Sequence, residues 1–273
     1  MLYLTFGHKQ GAIVGTSVNI LFIGDIVGQP GRRAVKRFLP ELRREYEVDL
    51  VVANAENAAH GRGLTPKLAH ELLDAGIDVL TSGNHIWDQK EIIPVMDSDL
   101  PILRPINYPE GAPGRGYLVH EGVLVVNLMG RAFMYNIDCP FRAMDRLLAT
   151  MPDVPPVICV DFHADATSEK VAMGWYLDGR VSAVVGTHTH VPTADNWVLP
   201  GGTAYVSDLG MSGPKHSVIG VKTDAVIERF LTQIPNKFET AEGPAVVGAV
   251  VVDVESSTGR ARSIQRTDRE EGD

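Results

Sequence analysis

From Asn19 onward, short apolar runs alternate with stretches whose apolar residues recur at helical spacing. Asn19–Gly24 (NILFIG) is continuously apolar after its first residue, is followed by Asp25, and reads as a strand buried on both faces. Beyond it Pro30 can open a helix in which Ala34, Val35, Phe38, Leu39 and Leu42 form one face. Asp49–Ala53 (DLVVA) predicts a second strand. Thr65 and Pro66 suit the N-cap and first position of a second helix, with Leu68, Leu72 and Leu73 on its apolar side. Ile77–Thr81 predicts a third strand. Strand, helix, strand, helix, strand argues for an α/β architecture with parallel pairing.

The middle of the chain is less regular. Pro101, Pro105, Pro109 and Pro113 punctuate a loop over residues 98–116. Tyr117–Val119 and Val123–Leu128 predict a hairpin around Glu121-Gly122, and Phe141–Thr150 a helix. Val157–Val160 and Val181–Gly186 are further buried strands, and Thr203–Ser207 and Ala245–Val254 suggest another sheet. With no internal repeat and no low-complexity linker, a single domain over residues 19–260 is expected. Residues 1–18 are expected to be an extension preceding that domain. The polar tail, 261–273, is expected to fray.

Composition narrows the function. The 273 residues are 44% hydrophobic and 22% charged, as in a folded globular chain. A net charge of −9 argues against a duplex nucleic-acid partner, which requires basic surface. No run of about 18 apolar residues is present to cross a membrane. Cys139 and Cys159 are too few and too isolated for a disulfide framework, and reduced thiols imply a cytoplasmic setting. The N-terminus lacks the apolar core of a secretory signal.

One regularity carries chemistry. Five apolar strands each end in residue types that ligate metals: Asp25; Asn54, Glu56 and Asn57; Asn84 and His85; Asp161 and His163; His188 and His190. In α/β sheets ligands bind at the carboxyl ends of strands, so these distant segments would converge. Residues two apart in extended backbone share a face, which would aim His188 and His190 together. Imidazole and carboxylate ligands without a thiolate suit Zn, Fe or Mn. Asp25, Glu56, Asn57, Asn84, His163, His188 and His190 are too many for one ion. With Glu56 bridging they could fill most of two coordination spheres. Two divalent cations against two carboxylates leave a positive site inside an acidic protein, which favours an anionic phosphate ester.

Singly, each residue has a plainer role. Asp25 can cap a turn, Glu56 can be solvated, Asn84-His85 can form a turn, and His163 can be a satisfied buried histidine. Two other classes also use such residues. A metal-dependent amidohydrolase on a barrel usually carries His-x-His after its first strand, whereas here it follows a late one. A metal-binding regulatory protein acting through a partner would keep the site with little turnover. Glycine-rich GDIVGQPG lacks both G-x-G-x-x-G and the P-loop lysine.

The blocks GDIVG (24–28), NAENAAHGRGLT (54–65), GNHIWD (83–88), DFHADATSEK (161–170) and GTHTHVPTAD (186–195) resemble, in order, those of YmdB-like metallophosphoesterases. That family resembles the calcineurin-like phosphoesterases, which implies a four-layer α-β-β-α sandwich. The usual Asp-x-His of the superfamily has Val27 at the histidine position here, a departure the YmdB-like group shares. The resemblance implies Asp25, Glu56, Asn57 and His190 on one metal ion and Glu56, Asn84, His163 and His188 on the other. The two ions would be divalent iron or manganese, and His85 would be the catalytic acid. It further implies attack of a metal-bound hydroxide on a phosphodiester, with 2′,3′-cyclic nucleotides as substrates, and a homo-oligomer.

Overall fold

The computed structural model describes residues 15–272. Its N-terminal half follows the apolar pattern: β1 (Ser17–Ile23), α1 (Gly28–Glu45), β2 (Leu50–Asn54), α2 (Pro66–Asp74) and β3 (Val79–Thr81). Thr65 caps α2 by accepting the Leu68 amide on its hydroxyl. A 3₁₀ turn at Lys90–Val95 and the proline-rich loop lead to β4 (Tyr117–His120) and β5 (Val123–Met129), the expected hairpin. Then come α3 (Pro140–Thr150), β6 (Val157–His163), α4 (Thr167–Leu177), β7 (Ala183–Thr187), β8 (Trp197–Val198), β9 (Ala204–Val206) and β10 (Gly213–Pro214). The chain ends with α5 (Thr223–Thr232), β11 (Ala245–Val247), β12 (Ala249–Glu255), β13 (Ala261–Arg266) and β14 (Arg269–Glu270).

Two open sheets form the centre. One has the order β13-β12-β1-β2-β3, the other β4-β5-β6-β7-β9-β8; β10, β11 and β14 make a small third sheet. β1, β2 and β3 run parallel to one another, as do β5, β6, β7 and β9. Period-two alternation along each buried strand decides the layers. On β1, Ile20 and Phe22 face the second sheet and meet Val125, Cys159 and Val185. Leu21 and Ile23 face the other way, onto Val35, Leu39 and Leu42 of α1. On the second sheet, Val126, Val160 and Phe162 pack outward against Met144 and Leu147 of α3 and Met173 and Leu177 of α4. The result is the expected α-β-β-α sandwich. Among the described residues neither main sheet closes on itself, so they form no barrel of the kind on which an amidohydrolase would be built.

The tail differs from expectation. Ala261–Arg266 pairs antiparallel with β12, and Arg269–Glu270 pairs with β11. Ala261 and Ile264 point into the core while the polar side chains between them face solvent, so a polar run still folds as a half-buried edge strand. Arg266 ties this strand down by donating to the carbonyls of Thr193 and Leu209. At the other end β1 begins at Ser17, so Ser17 and Val18 belong to the sheet. The rest of the expected extension, residues 1–14, lies outside the described residues. Among the described residues no helix is long and apolar enough to cross a membrane.

Candidate metal centre

Parallel pairing gathers the carboxyl ends of β1, β2 and β3 in one sheet and of β6 and β7 in the other, and Asn54 Nδ2, donating to Asp161 Oδ2 at 3.2 Å, joins the two sets. Asp25 follows β1, Glu56 and Asn57 follow β2, and Asn84 and His85 follow β3. His163 is the last residue of β6, and His188 and His190 lie just beyond β7. Asp25, Glu56, Asn57 and His163 are buried, an environment that charged side chains enter only when paired or bound to a cation.

Around His163 the donors crowd together. Its Nε2 lies 3.1 Å from Glu56 Oε1, 2.9 Å from Asn84 Oδ1 and 3.0 Å from His188 Nδ1. The opposite ring nitrogen is committed elsewhere. The Thr187 hydroxyl donates to Asp161 Oδ1 at 2.7 Å, so its oxygen accepts from His163 Nδ1–H at 2.9 Å. Asp161 is itself held by Asn54 Nδ2 at 3.2 Å and by the Thr81 hydroxyl. This network turns Nε2 toward Glu56 and Asn84. Gly83 makes room for it, since a Cβ there would fall 2.1 Å from His163 Cδ2.

The electrostatics call for positive charge at that point. Burial disfavours a charged His163, yet the carboxylates of Glu56, Asp25 and Asp161 lift its pKa to about 9. Burial likewise opposes ionisation of Glu56, but His163 holds its carboxyl at about 2. Burial pushes Asp161 up to about 6, and burial together with His163 holds His188 down at about 3. Burial also raises Asp25, whose Oδ1 is buried without a hydrogen-bond partner. A single proton on His163 Nε2 can serve one neighbouring acceptor, whereas a divalent cation serves carboxylate, amide oxygen and both imidazoles together. Glu56, His163 and His188 each offer a ligand atom within 4.8 Å of the others. The donor set therefore fits a metal ion.

Asp25, Asn57 and His190 form a looser second group. His190 Nδ1 donates to the carbonyl of Ile219 at 2.8 Å, which leaves Nε2 facing inward. That nitrogen is 3.0 Å from Asn57 Nδ2 and 3.8 Å from Asp25 Oδ1. A half-turn of the Asn57 amide exchanges its NH₂ for the oxygen a cation would need. Val27 is buried beneath the 213–220 segment, the segment that also presents Ile219.

The His-x-His geometry differs from expectation. His188 has φ of 102° and His190 of 67°, so neither is extended. Strand alternation does not align the two rings. A tight turn sends His188 toward His163 and His190 toward Asn57.

His85 sits at the rim of this cluster. Its backbone N–H donates to Glu56 Oε2 at 2.9 Å and its Nδ1 lies 2.9 Å from Asp88 Oδ2. Glu56 thus spends one oxygen on the His163 group and the other on the His85 amide. Asp88 was not among the expected site residues, although its three-residue spacing from His85 was legible in GNHIWD. Nor was Thr187 assigned a role, though a polar residue closing an apolar strand was the available signal. Arg104 is turned away from the centre, donating to the carbonyls of Pro105, Ala112 and Pro113.

The chain matches the family model for YmdB-like protein over residues 21–267. It is 49% identical over 253 residues to a 2′,3′-cyclic-nucleotide 2′-phosphodiesterase of Bacillus subtilis (strain 168), covering 91% of this chain and 96% of that one. Its fold superposes with a TM-score of 0.87 on the crystal structure of a hypothetical protein from Thermus thermophilus, at 47% identity, covering 93% of this chain and 100% of that one. A novel phosphatase from Mycoplasma pneumoniae superposes with a TM-score of 0.89 at 35% identity, covering 94% of this chain and 95% of that one.

Proposed function

Since this chain belongs to the YmdB-like family, we propose that it is a dinuclear metal-dependent phosphodiesterase acting on cyclic nucleotides, 2′,3′-cyclic nucleotides foremost. The observation that carries this reading is the convergence of Glu56, Asn84, His163 and His188 on one point, with Asp25, Asn57 and His190 beside it. Glu56, Asn84, His163 and His188 would hold one ion, and Asp25, Asn57, His190 and a bridging Glu56 the other. Bound there, two divalent iron or manganese ions supply Lewis acidity for a water nucleophile and for the phosphoryl oxygens.

The chain's own residues do the rest. Burial of Asp25, Glu56 and His163 keeps water from competing with the ligands. His85, oriented by Asp88, delivers a proton to the leaving alkoxide as the P–O bond opens. Arg104 and Arg62 form no clamp for a phosphomonoester dianion: Arg104 is spent on backbone carbonyls, and Arg62 is exposed. A diester monoanion matches such a site better. The two free cysteines support a cytoplasmic setting. The exposed apolar side chains Phe230 and Leu231 on α5 support a homo-oligomer.

The test is turnover by metal-free protein reconstituted with Mn²⁺, comparing bis-p-nitrophenyl phosphate with p-nitrophenyl phosphate, then 2′,3′-cyclic with 3′,5′-cyclic AMP. Faster cleavage of the diester and of the 2′,3′-cyclic nucleotide is expected. A preference for the monoester would overturn the diesterase assignment. No turnover at all would favour the regulatory protein.

A further inference from the structure

The turn carrying His188 and His190 is held from behind by a sixth strand end. β9 lies beside β7 in parallel register, Val206 opposite Val185, and is followed by Ser207 and Asp208. Asp208 Oδ2 accepts from Lys170 Nζ at 2.6 Å, from the Thr189 hydroxyl at 2.8 Å and from the Thr189 backbone N–H at 3.1 Å. Its Oδ1 accepts from Gly210 N–H at 2.8 Å. Lys170 and Asp208 are 2% and 1% exposed. Thr189 is the residue between the two histidines, and both of its donors end on this carboxylate.

We propose that Asp208, clamped by Lys170, is a positioning residue for both halves of the metal centre: by fixing Thr189 it sets the directions of His188 and His190. This inference rests on the metal-centre reading above. Both histidines occupy left-handed backbone that a non-glycine residue holds only when its surroundings over-determine it. Two hydrogen bonds from one residue to a carboxylate that cannot move supply that constraint. Lys170 belongs to the first turn of α4, a short connection beyond His163. The clamp thereby ties the His188–His190 turn to the same β6–α4 unit that carries His163. A cation this close to the histidines would add charge to the substrate site if free; paired with Asp208, Lys170 contributes rigidity in its place.

A buried ion pair with no positioning role would affect folding alone, and Thr189→Val separates the two cases because it deletes one hydroxyl and leaves Lys170 and Asp208 paired. Metal-free Thr189→Val and wild-type full-length protein are titrated with Mn²⁺ by calorimetry, and their metal-free melting temperatures are compared. Affinity is expected to fall about 10-fold for both ions, the scale seen when a partner orienting a ligand is lost. The melting temperature should stay within a few degrees. Excess Mn²⁺ should restore kcat, and KM for the diester should stay unchanged. The Lys170→Met/Asp208→Asn double variant, which strands no buried charge, should show the same loss of affinity. Unchanged Mn²⁺ affinity in both variants would overturn the positioning role, whatever happens to the melting temperature. Failure of wild-type protein to bind Mn²⁺ would instead remove the metal-centre reading on which the clamp depends.

Discussion

The two proposed halves of the centre orient their histidines by different means. In the inner half, His163 and Glu56 are buried side chains, and the histidine ring is oriented by a chain of other buried side chains, Thr187, Asp161, Asn54 and Thr81. In the outer half, His190 retains 12% side-chain exposure and is oriented by the carbonyl of Ile219, on a loop outside the sheets. Asn57 meets His190 through an amide that has to turn before its oxygen can ligate. A donor set already facing one point loses little freedom on binding, whereas a set that must rotate an amide and hold a loop gives up part of its binding energy. The inner half should therefore bind its ion more tightly, and the outer half should exchange first. Glu56, the residue proposed to bridge, would couple them.

The sharpest way to break this contrast is to remove what the halves share. Glu56→Gln is expected to lower kcat/KM by on the order of 10³-fold, as loss of a group that stabilises transition-state charge does. It should also leave fewer than two ions in metal analysis. Asp25→Asn should cost only the outer ion, and equal metal content in the two variants would remove the bridging role. His85→Ala should lower kcat by about 10²-fold or more, the range for a lost general acid. Because His85 belongs to neither half, both ions should remain. Thr187→Val probes the inner half alone. It should weaken the inner ion by about 10-fold and leave the outer affinity in place, which calorimetric titration of metal-free protein would read. Asp88→Asn should be mildest, a few-fold in kcat, because the His85 ring loses orientation and keeps its proton-transfer nitrogen. A drop as large as that of His85→Ala would mean that Asp88 itself carries a proton.

Most of the sandwich was legible because its strands are buried on both faces and so read as unbroken apolar runs. NILFIG, DLVVA and the run at Val157–Val160 needed no partner information to be recognised. β13 was not legible. One face of it is solvated, and its buried positions hold only Ala261 and Ile264, so the run reads as a polar tail. α4 was missed for a related reason: its apolar residues spread around the helix and mark no single face. The residues proposed as ligands were legible as a recurrence at strand ends, a property of order along the chain. The residues that hold them were not. Asp208, just beyond β9, accepts from Thr189 between the two histidines, and Thr187 meets His163 across a sheet pairing. Those relations exist only once β7 lies between β6 and β9. The directions of His188 and His190 likewise come from positive φ angles that a two-residue spacing does not encode.

The contrast between the halves can be tested directly by anomalous diffraction from crystals of metal-free protein soaked with less than one equivalent of Mn²⁺, then with excess. The account predicts one peak first, among Glu56, Asn84, His163 and His188. A second should follow at excess beside Asp25, Asn57 and His190, with Glu56 contacting both. A first peak at the outer group, or a single ion at saturation, would contradict it.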